Sequence, residues 1–163
     1  MHRIAPDILT TVIGTIASNL RSEDKAMRLW VVQLLGKLCY FPKSLIAIRF
    51  ISCYKEWCHR CKDLAVEIRP TVLTCIIQTM DTYTKQDATA SKELRENSIW
   101  TLESMVHSDS DAGIREKAIQ QIYEPCLTKP EIIPPSLLHT VNDRIKEKNT
   151  TKAERKQALT GLT

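Results

Sequence analysis

Cys58-His59-Arg60-Cys61, with Cys53 five residues upstream, is the run most suggestive of chemistry in this sequence. A C-x-x-C pair can ligate zinc or cycle between dithiol and disulfide. Zinc would want a second ligand pair at a distance, and none is apparent. A redox pair usually opens a helix after a strand, whereas this one closes a helical stretch among aromatics. Tyr54, Trp57, Cys58 and Cys61 fall on one helical face, so packing is the simpler account. The six cysteines (Cys39, Cys53, Cys58, Cys61, Cys75 and Cys126) stand mostly among aliphatic residues. In a chain of 163 residues without a secretory leader they are expected to be reduced thiols buried as small hydrophobes.

His2, His59, His107 and His139 are scattered, and none pairs locally with a nucleophile and a carboxylate. There is no phosphate-binding loop and no dinucleotide fingerprint. No catalytic, cofactor-binding or metal-binding residue is assigned, and an enzyme is not expected. Glu23-Asp24, Asp109 and Asp111 fall in turns between helices. They could hold a metal, but capping explains them better, because acidic side chains accept the free N–H groups of a helix start.

Arginines recur at Arg28, Arg69, Arg115 and Arg155, at spacings of 41, 46 and 40 residues. Small or branched apolar residues follow each at plus three and larger ones at plus seven, and a polar, mostly acidic turn precedes each. Two readings are open. Each arginine can pair with a turn carboxylate of its own or an adjacent repeat, forming a structural ladder, which is the preferred reading. Alternatively, some face a groove and hold an acidic peptide or phosphate.

Net charge is +4 and its location matters. Residues 144–157 carry six basic and two acidic side chains, and the remainder balances at 17 against 17. A basic nucleic-acid-binding domain is therefore not supported. Lys152, Arg155 and Lys156 are the candidate contacts to an acidic or phosphate-bearing partner. A solvated helix end is the plainer account, and contact with the DNA backbone is a further alternative. The cluster lacks interleaved aromatics for stacking on single strands.

Helices must position all of these groups. Composition is ordinary for a globular chain, at 43% apolar and 26% charged, and only 4 glycines disfavour turn-rich β architectures. No uncharged apolar run reaches the ~18 residues of a membrane span, and an intracellular protein is expected. Apolar spacing of three and four predicts helices over 8–20, 27–38, 45–61, 64–76, 94–107, 114–122, 136–148 and 153–162. Loops are expected at 81–91 and across Pro125 to Pro135. These helices pair into about four hairpins, roughly 5–41, 44–80, 91–125 and 134–163. A helix-pair repeat of about 40–47 residues is the signature of HEAT or armadillo arrays. The expected fold is all-α, an α-solenoid of HEAT/armadillo-like hairpins (an α-α superhelix). It is expected to be part of a longer solenoid, because the pattern opens directly with a repeat and ends inside a helix.

The order of segments resembles a known family. Ala5-Pro6-Asp7-Ile8-Leu9 and Leu20 to Asp24 lead to Arg28-Leu29 and Leu34-Leu35-Gly36-Lys37-Leu38. Phe50 to Trp57 precedes Asp63 and Val66-Glu67-Ile68-Arg69. Ile133-Pro134-Pro135-Ser136-Leu137-Leu138 leads through Asp143 to Lys148, then to Arg155-Lys156-Gln157-Ala158-Leu159. Together these resemble the cohesin-associated HEAT-repeat family named for precocious dissociation of sister chromatids (Pds). Met27 and Glu154 stand where the family has valine before arginine, and Pro70 directly follows Arg69. The resemblance implies a nuclear, non-enzymatic scaffold in sister-chromatid cohesion. Partners would be the kleisin subunit of cohesin and the Wapl-type releasing factor, with indirect chromatin association and no membrane contact. Inositol hexakisphosphate is a ligand of some members. A generic HEAT interaction scaffold is the alternative within the same fold.

Overall fold

The structure, a computed structural model, describes residues 6–41, 45–84 and 88–146. Strong helix formers combined with three-four apolar spacing give eight α-helices and no strand among the described residues. They are α1 (Pro6–Ser18), α2 (Lys25–Tyr40), α3 (Ile46–Arg49), α4 (Ile51–Cys58), α5 (Arg69–Thr84), α6 (Ala88–His107), α7 (Ala112–Thr128) and α8 (Pro135–Lys146). Short 3-10 turns fill Asn19–Arg21, His59–Lys62, Val66–Ile68 and Pro130–Ile132. No described helix is long and apolar enough to cross a membrane.

The helices stack in two rows. One row runs α1, α4, α6, α8, each helix packed on the next; the other runs α2, α5, α7. Contacts between α1 and α2, α4 and α5, and α6 and α7 join the rows into antiparallel pairs. That is an all-α solenoid of HEAT/armadillo-like hairpins, whose apolar faces are covered by neighbouring pairs. The positions three and seven after the arginines form its centre: Val31, Val72, Ala118, Leu35, Ile76 and Ile122 are all buried.

Trp57 ties the rows together. Its ring is fully buried, stacks against Tyr54 and donates Nε1–H to the Val32 carbonyl at 2.9 Å. Tyr54 in turn shares a 2.8 Å hydrogen bond with Ser98 on α6. Beside them α2 crosses α5 closely at Gly36. A Cβ there would stand 2.6 Å from Cys75 Sγ and 3.2 Å from Trp57 Cζ2.

Several elements differ from the sequence expectation. The loop expected at 81–91 is largely helix: α5 runs to Thr84 and α6 starts at Ala88, because Met80 and Tyr83 continue the buried face of Ile76. Helix α7 passes through Pro125 to Thr128, since buried Ile122 and Tyr123 outweigh the missing N–H. The stretch 45–61 is not one helix but breaks at Phe50 (φ −118°, ψ 51°), where no glycine or proline marks it. Leu64 is not on the α5 face; it is 95% exposed in the turn before that helix. The buried stripe of α1 includes Ile13 and Ala17 and continues to Leu20 in the 3-10 turn that follows, whereas Val12 is exposed. The helix expected at 153–162 lies outside the described residues.

Candidate functional site

The turns that enter α2, α5 and α7 share one local design. Ser22 Oγ, Asp63 Oδ1 and Asp109 Oδ1 each accept the N–H two residues ahead, at Asp24 (3.2 Å), Ala65 (2.9 Å) and Asp111 (2.9 Å). Such a side-chain bond redirects the chain before the next helix. Asp24 then caps α2 through Ala26 N–H, and Asp111 caps α7 through Ile114 N–H.

The arginine six residues after each turn locks it. Arg28 donates to Ser22 O at 2.8 Å, Arg69 to Asp63 O at 2.7 Å and Arg115 to Asp109 O at 2.8 Å. Two of them also cross to the next turn along the row. Arg28 grips Asp63 with two parallel bonds of 3.0 Å, and Arg69 donates to Asp109 Oδ1 at 2.7 Å. A planar guanidinium suits this because its fixed fork serves carbonyls and a carboxylate at once. Arg155 lies outside the described residues.

Asp63 is the hub. Its side chain is 1% exposed and takes bonds from Arg28, Ala65 N–H and, at 3.4 Å, Arg60 Nη1. Burial alone would raise its carboxyl. The Arg28 guanidinium, the Ala65 amide and the Arg60 charge reverse that and hold it below the ordinary carboxylate value. Bonding to Asp63 correspondingly raises Arg28. Arg60 also donates to Leu20 O at 3.1 Å, so Arg28 and Arg60 together tie the Asp63 connection to the one between α1 and α2.

The cysteine run has a packing environment. Cys58 and Cys61 are buried, and burial pushes their thiols up to about 12 and about 11. Cys53 and Cys75 are likewise pushed up to about 11 by burial, the opposite of an activated nucleophile. All six cysteines are free thiols, and no metal-holding group of His, Cys, Asp and Glu occurs among the described residues. His59 is exposed and meets Trp100 edge-on, with ring centroids 6.0 Å apart; Lys62 Nζ sits 4.9 Å from the Trp100 centroid. His139 is exposed on α8, and His2 lies outside the described residues.

Lys152, Arg155 and Lys156, the sequence candidates for partner contact, also lie outside the described residues. Arg144, counted with them in the basic cluster, is buried, whereas Lys146 is exposed. The exposed apolar side chains include Trp30 and Met27 on α2, Trp100 on α6, and Phe41, Leu64 and Leu127 around the helix ends. Registering the arginines does not by itself single out Asp63 or Arg60. The signal that does is the constant offset: Ser22, Asp63 and Asp109 each stand six residues before an arginine. Chemically the arrangement is a framework of paired charges that joins the helix pairs, with Arg60 Nε buried and lacking a hydrogen-bond partner.

A protein-family model described as sister chromatid cohesion protein PDS5 matches residues 1–163. Sister chromatid cohesion protein PDS5 homolog A of Arabidopsis thaliana is 26% identical over 150 residues. That alignment covers 91% of this chain and 9% of the relative, so the chain spans about a tenth of that protein's length.

Proposed function

The chain belongs to the sister chromatid cohesion protein PDS5 family, and from that premise we propose that it is a non-enzymatic regulatory scaffold of cohesin, working in the nucleus. Segments of the kleisin subunit, of the releasing factor, or of both lie along its helical-repeat surface. Association with chromatin is indirect, through these partners. The observation that carries the reading is the family match from residue 1 to residue 163. The stacked helix pairs support it, because a two-row solenoid presents long continuous faces suited to extended segments. Exposed Trp30 and Trp100 are the kind of side chain that anchors such segments. In this reading the chain divides into four repeats, at about 5–41, 44–80, 91–125 and 134–163, within a longer solenoid. Lys152, Arg155 and Lys156 set the register of an acidic stretch.

The test is capture of the tagged protein carrying this chain from nuclear extract, with identification of the proteins retained. Recovery of the cohesin ring subunits is the expected result. Their reproducible absence overturns the cohesin role and leaves a helical scaffold for other partners.

A further inference from the structure

Helix α2 carries a second apolar face. Met27, Trp30, Leu34, Leu38 and Phe41 recur every three or four residues, so they line one side of the helix and its C-terminal cap. Val31, Val32 and Leu35 already fill the core from its other sides. Within the stripe, Met27, Trp30 and Phe41 are 39%, 54% and 64% exposed, and Leu34 and Leu38 are half-buried. No member is charged. A single exposed apolar side chain needs no explanation, but a stripe along a whole helix marks a contact surface.

What covers such a face is visible twice in the same molecule. Counted from the ladder arginine, the stripe occupies the position before it and those two, six, ten and thirteen residues after it. One unit along the row, the same places belong to Ile68, Thr71, Cys75, Thr79 and Thr82. These residues face α2. Ile68 is fully buried in the turn that packs on α2, and Thr71 borders the α2–α5 groove. Cys75 lies against Gly36, and Thr82 Oγ1 reaches Tyr40 O at 3.1 Å. At the next seam Ile114 is buried, and Gln121 Nε2 donates to Thr74 Oγ1 of α5 at 3.1 Å. At both seams this side of a helix is covered by the preceding helix of the row. The turn ahead of α2 differs as well. Asp63 and Asp109 each receive the arginine of the preceding helix, whereas Ser22 holds that place ahead of α2 and has no carboxylate. A charge-paired rung cannot form there, so apolar contact must hold whatever lies on this face.

We propose that the stripe from Met27 to Phe41 seats a further amphipathic helix of the same array, stacked on α2 as α2 is stacked on α5. The occupant presents aliphatic side chains, and Trp30 and Phe41 close the seam in place of a buried ion pair. Trp30 then serves the array itself, and Trp100 remains the aromatic open to partner segments. The proposal rests on the reading of a longer solenoid above and gives that reading a face and a chemistry of contact.

Hydroxyl-radical footprinting of the purified protein that carries this chain, read on its peptides by mass spectrometry, tests it. Trp30 and Trp100 form a matched pair, because they are 54% and 46% exposed in this structure. Trp30 is expected to oxidise several-fold more slowly than Trp100, and to stay protected when the protein is diluted. Equal rates for the two tryptophans overturn the proposal. Protection of Trp30 that disappears on dilution also overturns it, because the cover is then a second copy. In Trp30→Glu a carboxylate enters the seam, and Met27, one turn away, is expected to oxidise several-fold faster than in the parent. Unchanged protection of Met27 in that variant overturns the apolar seam. Recovery of cohesin subunits in the capture experiment is independent of these rates, so the seam can fail while the cohesin role stands, and the reverse.

Discussion

Arg28 and Asp63 set the residue-scale energetics, because the carboxylate is sealed from water and the guanidinium nearly so. Desolvating a charge is tolerable only while it is matched, and removing one partner of a buried pair costs about 3–5 kcal/mol. Arg28→Ala is therefore expected to lower the urea-unfolding free energy by about 3 kcal/mol, since Arg60 alone remains near Asp63. Arg28→Lys restores only part, because an ammonium cannot make the parallel bonds. The pH dependence comes from the depressed carboxyl. Its stabilising contribution is complete above the ordinary value of 3.8 and is lost as pH falls through the lower value of the folded state. Urea midpoints in acidic buffers should therefore fall more steeply in the parent than in Asp63→Asn, which has no such proton to take up. The thiols give a second expectation. With Cys58 at about 12 and Cys61 at about 11, only about one thiol in ten thousand and one in a thousand is ionised near pH 8. Peptide-level mass spectrometry after iodoacetamide treatment should find both unlabelled in native protein and labelled in urea. Rapid native labelling would contradict the packing role. The packing role of the cysteine run is legible in sequence, because Tyr54, Trp57, Cys58 and Cys61 recur at helical spacing. The hub at Asp63 is hidden there, because Arg28 reaches it from another helix pair, 35 residues away in the chain.

At the scale of elements, two helical glycines separate propensity from packing. Gly14 on α1 has nothing within 4 Å of where a Cβ would stand, whereas Gly36 on α2 faces Cys75 and Trp57 at 2.6–3.2 Å. Gly14→Ala is expected to stabilise by up to about 1 kcal/mol, the helix-propensity gain with no opposing contact. Gly36→Ala gains the same propensity but overpacks the α2–α5 crossing, at a cost of about 1–3 kcal/mol, and Gly36→Val costs more. Thermal melts of the three variants should therefore shift in opposite directions, upward for position 14 and downward for position 36. Helix existence is legible from periodicity because most faces are half-buried and repeat every three or four residues. Helix ends are less so. The polar stretch at 81–91 masks the extension of α5, because Thr82 is helical while bonding across to Tyr40 O at 3.1 Å. The break at Phe50 carries no glycine or proline, and the passage of α7 through Pro125 is a tertiary override of a local rule.

For the whole molecule, the ladder of turns decides how far a disturbance travels. In a solenoid each unit touches only its neighbours, and stability is the sum of unit terms and interface terms. The Arg28–Asp63 rung, with Arg60 on Leu20 O and Lys25 on Glu67, joins the α1–α2 pair to the α4–α5 pair. The Arg69–Asp109 rung does the same one unit later, between side chains that are 11% and 3% exposed. Weakening one rung should therefore loosen the units which that rung joins rather than the whole array. Asp63→Ala is expected to accelerate amide hydrogen exchange in α1 and α2 roughly tenfold to a hundredfold, with a much smaller effect in α6 to α8. Asp109→Ala should shift the effect onto α6 to α8, because its rung joins the second unit to the third. Exchange monitored by mass spectrometry on peptides from each helix distinguishes the patterns. Uniform acceleration from α1 to α8 in both variants would mean a single cooperative core, and the nearest-neighbour energetics of stacked pairs would not hold.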